Sequence, residues 1–174
     1  AFDLREDLTR QVKSALQANP ELLGLSLVFE ANALDGKDDL FTGQAELGSN
    51  DKGRFALYWS QPTPGKVTSM ALPESDMADT GTGPSGEPAN AWFTCPRTTL
   101  KPCVIEPYFY VIDGQKVLMT SIVFPLMVNG KVIASLSADI NLNSLQAVSQ
   151  GASKKLYDGQ TNVSIISPVG LLAG

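Results

Sequence analysis

The sequence predicts an α+β domain built around one antiparallel sheet, and three observations carry that prediction. Apolar residues Leu4, Leu8, Val12, Ala15 and Leu16 recur at the three-to-four spacing of a helical stripe. Asp113-Gly114 and Asn129-Gly130 punctuate an apolar run between 106 and 140, and both dipeptides tolerate the positive φ of tight hairpin turns. A long irregular crossing separates these two regions, so helix and strands are segregated rather than alternating.

Taken in order, the first element is a helix over 1–18. Asn19-Pro20 ends it, because proline disfavours the helical conformation in the residue before it. With no capping residue ahead of it, this helix is expected to be the truncated end of a longer stalk. Its stripe has two readings, packing on its own sheet or forming the seam of a homodimer. "LLGLSLVFEA" follows as a strand and "GRFALYWSQ" as another, while "DTGTGPSGEPAN" is a long Gly/Pro/Ser loop of the kind that is often functional. From 106 onward, "YFYVI-DG-QKVLMTSIVFPLMV-NG-KVIASLSADI" reads as a three-stranded meander. "NLNSLQAVSQ" then forms a helix capped by Asn or Ser. The tail "NVSIISPVGLLAG" reads as a strand, a Pro-Val-Gly turn and the start of its partner, as though the chain ended inside a second module.

Composition narrows the function. A hydrophobic share of 43% against 18% charged residues describes a packed domain rather than a disordered tail, and 174 residues suit one ordinary core. The net charge of −5, with no basic stripe, argues against nucleic acid as a partner. With no histidine in the chain, His-based triads, His-ligated zinc and imidazole acid–base chemistry are all removed. A Cys nucleophile would lack its base, so the chain is expected to be no enzyme and to need no metal or cofactor. The longest apolar stretch, around Val117 to Gly130, carries Pro125 and falls short of the ~18–20 residues that span a bilayer. No signal peptide opens the chain, which is therefore expected to be a mature or excised domain.

Cys95 and Cys103, with seven residues between them, fit no common zinc spacing. A disulfide is favoured over free thiols. It would contribute ~2.5 kcal/mol by loop-closure entropy and implies an oxidising compartment.

Candidate binding residues come from strand periodicity and aromatic content. In the last meander strand Val132, Ala134, Leu136 and Ala138 share the core side, whereas Ser135, Ser137 and Asp139 share the other. Small side chains leading to one carboxylate leave room above the sheet; the bland alternative is a solvent face with a helix-capping Asp139. Trp92 and Phe93 precede the cysteine loop, Tyr108 and Tyr110 share a strand face, and Tyr58 and Trp59 lie on an earlier strand. Such rings around a carboxylate suit an ammonium group, although any single ring can equally be core filling. Glu106, ahead of Pro107, reads as either structural or pocket rim.

The ordered series "NPELLGLSLVFEANALDGKDD", "GRFALYWSQ", "WF", "EPYFYVIDGQKVLMTSIVFPLMVNGKVIASLSADINLNSLQ" and "SIISPVGLLAG" resembles the membrane-distal part of double Cache (dCache) sensing domains of bacterial chemotaxis receptors. The resemblance covers nearly the whole chain. It implies a PAS-like/Cache module with a long N-terminal helix (1–18), a ligand-binding module (19–150) and a connector with the first strand of a membrane-proximal module (151–174). It further implies a periplasmic sensor in a membrane-anchored inner-membrane protein, with chemoreceptor, histidine kinase and cyclic-dinucleotide enzyme as the alternative outputs. Amino-acid-sensing members carry an Arg-x-Trp-Tyr pattern whose arginine grips the ligand carboxylate; the aligned run here is Asn90-Ala91-Trp92-Phe93. The strand-end aspartate that holds the ligand amine matches Asp139, and a second aspartate position is Tyr110. The expected ligand is thus a small amine, quaternary amine or amino-acid-like molecule with one ammonium on Asp139. Trp92, Phe93, Tyr108, Tyr110 and Ser137 would line the pocket, and Asn90 would orient a polar tail. A module that binds only a partner protein or a second copy is the alternative.

Overall fold

The computed structural model describes residues 2–83, 85–167 and 169–170. Strands β1 (Gly24–Phe29), β2 (Ala56–Thr63), β3 (Lys66–Ala71), β4 (Cys103–Ile112), β5 (Gln115–Val128) and β6 (Lys131–Asn141) form one sheet in the order β3-β2-β1-β6-β5-β4. Every pairing is antiparallel. Helices α1 (Phe2–Ala18), α2 (Glu74–Ala78), α3 (Ala91–Thr99) and α4 (Leu142–Lys155) complete an α+β, PAS-like Cache fold. Both expected hairpin turns form, with positive φ at Asp113, Gly114, Asn129 and Gly130. Asn141 caps α4 by accepting a hydrogen bond from the Asn143 amide.

The sheet is covered on both faces, by different chemistry. On one face the stripe of α1 packs against its own sheet: buried Val12 and Leu16 meet Leu25, Leu27, Phe29, Leu57 and Ala134. Leu4 and Ala15 stay exposed. Gln61 lies at the end of this helix, its side-chain amide donating to the carbonyl of Leu16 and to those of Asn19 and Leu22 in the turn that follows. The opposite face carries α2, α3 and the loop between them, over a cluster of Val28, Ala56, Tyr58, Leu72, Met77, Phe93 and Met119.

Two arginines that carry no local sequence signal organise the segment between β1 and β2. Arg5, on α1, is fully buried. Its guanidinium donates to both carboxylate oxygens of Asp35, to Asp38 Oδ1, to Ser49 Oγ and to the Gly53 carbonyl, and it stacks 4.0 Å over Phe41. Burial opposes its charge, but the bonds to Asp35 and Asp38 outweigh this and raise its pKa. Gly53 is required where it stands, with φ +79 and space so tight that a Cβ would fall 1.7 Å from the Asp38 carbonyl oxygen. Its neighbour Arg54 forms a bidentate pair with Glu74 at the start of α2, at 3.0 and 2.6 Å. "GRF" is therefore a structural device: Gly53 closes the loop, Arg54 clamps α2, and Phe55 fills the core.

A disulfide joins Cys95 on α3 to Cys103 at the start of β4. Helix α4 runs past residue 150, and residues 161–165, where the tail was expected to begin a strand, have neither helix nor strand. Positions 168 and 171–174 of that tail lie outside the described residues.

Replacing Arg5 by Ala leaves two buried carboxylates without their cation. This is expected to cost about 3–5 kcal/mol, read as a fall in the urea midpoint of unfolding.

Candidate ligand-binding site

The floor of the site follows from register. Gly24 of β1 stands directly opposite Asp139 of β6, which stands opposite Ser121 of β5. In the adjacent row Tyr58, Ser26, Ser137 and Val123 are aligned across four strands. Glycine and serine on the central strands leave the middle of this face low, while tyrosines rise at its flanks. The result is a small cavity of about 30 Å³, lined by Ser26, Tyr58, Leu72, Trp92, Tyr108, Tyr110, Met119, Ser137 and Asp139.

Asp139 is buried at its base. Ser121 and Ser137 both donate to its Oδ1, at 2.6 and 2.9 Å, which leaves Oδ2 without a serine donor. Because the Ser121 proton is committed to Asp139, the Tyr108 hydroxyl must be the donor in its 2.7 Å bond to Ser121, forming a relay of three groups. The Tyr58 hydroxyl acts on the same carboxyl but completes no hydrogen bond. Burial raises the Asp139 pKa, with the two serine bonds only partly opposing it. Burial, reinforced by the nearby Asp139, likewise pushes the Tyr58 and Tyr108 hydroxyls well up, so both stay protonated. No basic side chain lines the cavity.

The mouth is acidic too. The Tyr110 hydroxyl donates to Asp76 on α2 at 3.2 Å, and Asp76 and Asp79 line an outer cavity that shares Trp92, Tyr108 and Tyr110 with the inner one. The position at which a second acid was expected to be lost, Tyr110, thus presents one at second hand. Tyr58 and Tyr110 meet edge to face, with ring centroids 6.2 Å apart.

Of the sequence-predicted residues, Asp139, Ser137, Trp92, Tyr108 and Tyr110 come together in this cavity. Asn90 and Phe93 do not line it. The Asn90 side chain is buried and donates to the Met77 carbonyl at 2.8 Å, tying α2 to the start of α3, so it is not placed to orient a ligand tail. Phe93 follows Trp92 on a helix, and the turn between adjacent positions sends it into the core between the Arg54 and Arg97 guanidiniums. Tyr58, one of the aromatic rings named from the sequence, also lines it, whereas Trp59 does not. Ser26, Ser121 and Asp76 complete the site without having been singled out; Ser26 and Ser121 each lie opposite a candidate position in the sheet. Among the described residues no three His, Cys, Asp or Glu side chains converge as a metal site would require.

A methyl-accepting chemotaxis protein-like, first PDC sensor domain family matches residues 8–147. The chain is 59% identical over all its 174 residues to the methyl-accepting chemotaxis protein TlpQ of Pseudomonas aeruginosa, and spans 24% of that protein. Among solved structures, the extracellular domain of the putative histidine kinase mmHK1S-Z3 superposes with a TM-score of 0.68 at 28% identity, over 84% of this chain and 47% of that one. Methyl-accepting chemotaxis protein X does so with 0.67 at 26% identity, over 83% and 48%. The chain thus spans about half the length of these solved relatives.

Two predictions follow from the floor. Between the ordinary carboxylate value of 3.8 and the raised value of Asp139, the folded protein keeps a proton that the unfolded chain has released. Stability should therefore fall as pH rises through that window. Asp139→Asn is expected to flatten this dependence and raise the melting temperature of the ligand-free protein at pH 7. A Cβ on Gly24 would lie 2.5 Å from the Tyr58 hydroxyl oxygen. Gly24→Ala is thus expected to displace Tyr58 and destabilise the domain by about 1–3 kcal/mol in denaturant titrations.

Proposed function

This chain belongs to the methyl-accepting chemotaxis protein-like first PDC sensor domains, and on that footing we propose that it is the extracytoplasmic, membrane-distal ligand-binding module of a membrane-anchored chemoreceptor that recognises a small amine. The observation that carries this reading is Asp139: a carboxylate buried in an aromatic box, with two hydroxyl donors and no cation. An ammonium group supplies the missing charge, a charge-assisted hydrogen bond and attraction to the faces of Trp92, Tyr58 and Tyr108. A ligand carboxylate would find no basic partner in the cavity, so an amine is favoured over an α-amino acid. Asp76 and Asp79 in the outer cavity favour a ligand with a second cationic centre over a simple monoamine.

Signalling requires that the occupied cavity stabilise one arrangement of the domain over another, since a ligand with equal affinity for both shifts neither. Helix α2 is the element placed to respond. It carries Asp76 at the mouth and is held through Glu74 by Arg54, whose neighbour Gly53 is bonded to Arg5 on α1.

A thermal-shift screen of mono- and diamines against amino acids and organic acids is expected to raise the melting temperature for amines alone. In calorimetry with the best of them, Asp139→Asn and Trp92→Ala should each weaken binding at least about tenfold. Unchanged affinity in both variants would overturn the site.

A further inference from the structure

Strands β3 and β4 are the two outer edges of the sheet, four strands apart, and no backbone ladder joins them. Their side chains nevertheless meet. Thr68 of β3 donates to the carboxylate of Asp113, in the turn after β4, at 3.0 Å. Tyr58 of β2 packs edge to face on Tyr110 of β4, and Leu72, just past β3, shares a buried cluster with Ile112 of β4. The sheet therefore curls towards its small-residue face until its edges touch, and the line of contact is a seam closed by side chains alone. Tyr58, Leu72 and Tyr110 stand on this seam and also line the Asp139 cavity, so parting the seam opens the cavity.

The two sides of the seam are held unequally. β4 is fixed by its ladder to β5 and by the disulfide to α3. β3 has a single ladder, to β2, whose register shifts beyond Ser60, and four of its six residues are exposed. The pairing of β2 with β1 also ends at Ser60, so the hairpin past that point lacks this support. The C-terminal end of β3 is anchored, because the chain runs on into α2, which Arg54 clamps through Glu74. The other end rests on Thr68. Its proton is spent on Asp113, so Ser60, 3.2 Å away, is the donor in the bond between the two hydroxyls. Asp113 is set for this contact by its turn, with φ +49, a conformation that suits Asp, Asn and Gly. Thr68 and Asp113 are both exposed, so water can replace either partner when the bond opens.

We propose that β3 is a flap over the seam and that the Thr68–Asp113 bond is the latch that holds it shut. This rests on the reading of the Asp139 cavity as a ligand site, and adds to it the element whose movement opens that cavity.

Amide hydrogen exchange on the ligand-free protein, followed by mass spectrometry, tests the latch from both ends. Asp113→Gly keeps the positive φ but removes the carboxylate, and is expected to speed exchange across residues 66–71 about threefold or more. Thr68→Val removes the hydroxyl and is expected to do the same at residues 112–116, on the far side of the seam. Asp113→Asn keeps both the φ and an acceptor oxygen, and should hold exchange in β3 at the wild-type rate. Exchange in α1, on the opposite face, should be alike in all four proteins. In stopped-flow mixing with 1,4-diaminobutane, read by tryptophan fluorescence, Asp113→Gly is expected to raise association and dissociation rates together. The affinity should stay within about twofold. Unchanged exchange in β3 with Asp113→Gly, or exchange just as fast with Asp113→Asn, overturns the latch. Binding rates that stay at the wild-type values while β3 exchanges faster overturn the flap as the gate. A wild-type protein that takes no diamine counts against the amine reading alone, since the exchange measurements need no ligand.

Discussion

A carboxylate without a counter-ion, set in the centre of a sheet, is the constraint from which the rest of this structure follows. Asp139 can be tolerated there only because Ser121 and Ser137 solvate one of its oxygens. Beside them stand Gly24, where a Cβ would meet the Tyr58 hydroxyl, and Ser26, so the central strands carry only small residues on this face. Small residues cannot fill the layer above, so the aromatic side chains of β2, β4 and α3 bridge the gap from its edges. Cavity, aromatic walls and small-residue floor are one solution to one electrostatic problem. A residual desolvation cost stays with Asp139, whose second oxygen has no serine donor.

The opposite face shows how the same chain handles charge that is meant to stay. Arg5 is as deeply buried as Asp139, yet every donor of its guanidinium is matched, by carboxylates, a hydroxyl and a carbonyl. The first arrangement is a lock between α1 and the loop after β1; the second is a carboxyl held between strands by two hydroxyls and no cation. Arg54 connects the two, because it leaves the loop that Arg5 organises and grips the helix that carries Asp76.

What could be read in the sequence was what local chemistry determines. The Asx-Gly turns, the stripe of α1 and the serine face of β6 each depend on spacing within a few residues; the turns and the serine face stand as expected, while the stripe buries Val12 and Leu16 but leaves Leu4 and Ala15 exposed. Strand periodicity gave Ser137, Asp139, Tyr108 and Tyr110 of the candidate site, and Trp92, on a helix, came from aromatic content and the resemblance instead. Phe93 was misplaced because α3 is hard to see: Pro96 lies inside it, and proline argues against a helix. Once 91–99 is helical, Trp92 and Phe93 can no longer share a direction. Asn90 was misplaced because a resemblance transfers a position and not a rotamer; its amide is spent on the Met77 carbonyl. Asp76 and Arg5 depend on partners 34 and 30 residues away, and no short window of sequence contains both halves of those contacts.

The disulfide has a consequence for traffic through the cavity. Cys95 lies one helical turn beyond Trp92, and Cys103 lies on the strand that carries Tyr108, so the bond closes these two walls into a single covalent hoop. Spreading them apart is not a route that a ligand can use. The other side of the opening is held by softer means: the Tyr110–Asp76 contact, the Asn90–Met77 bond and the Arg54–Glu74 clamp. The α2 side is therefore the one held by hydrogen bonds and an ion pair, contacts that can break and reform with no covalent bond broken.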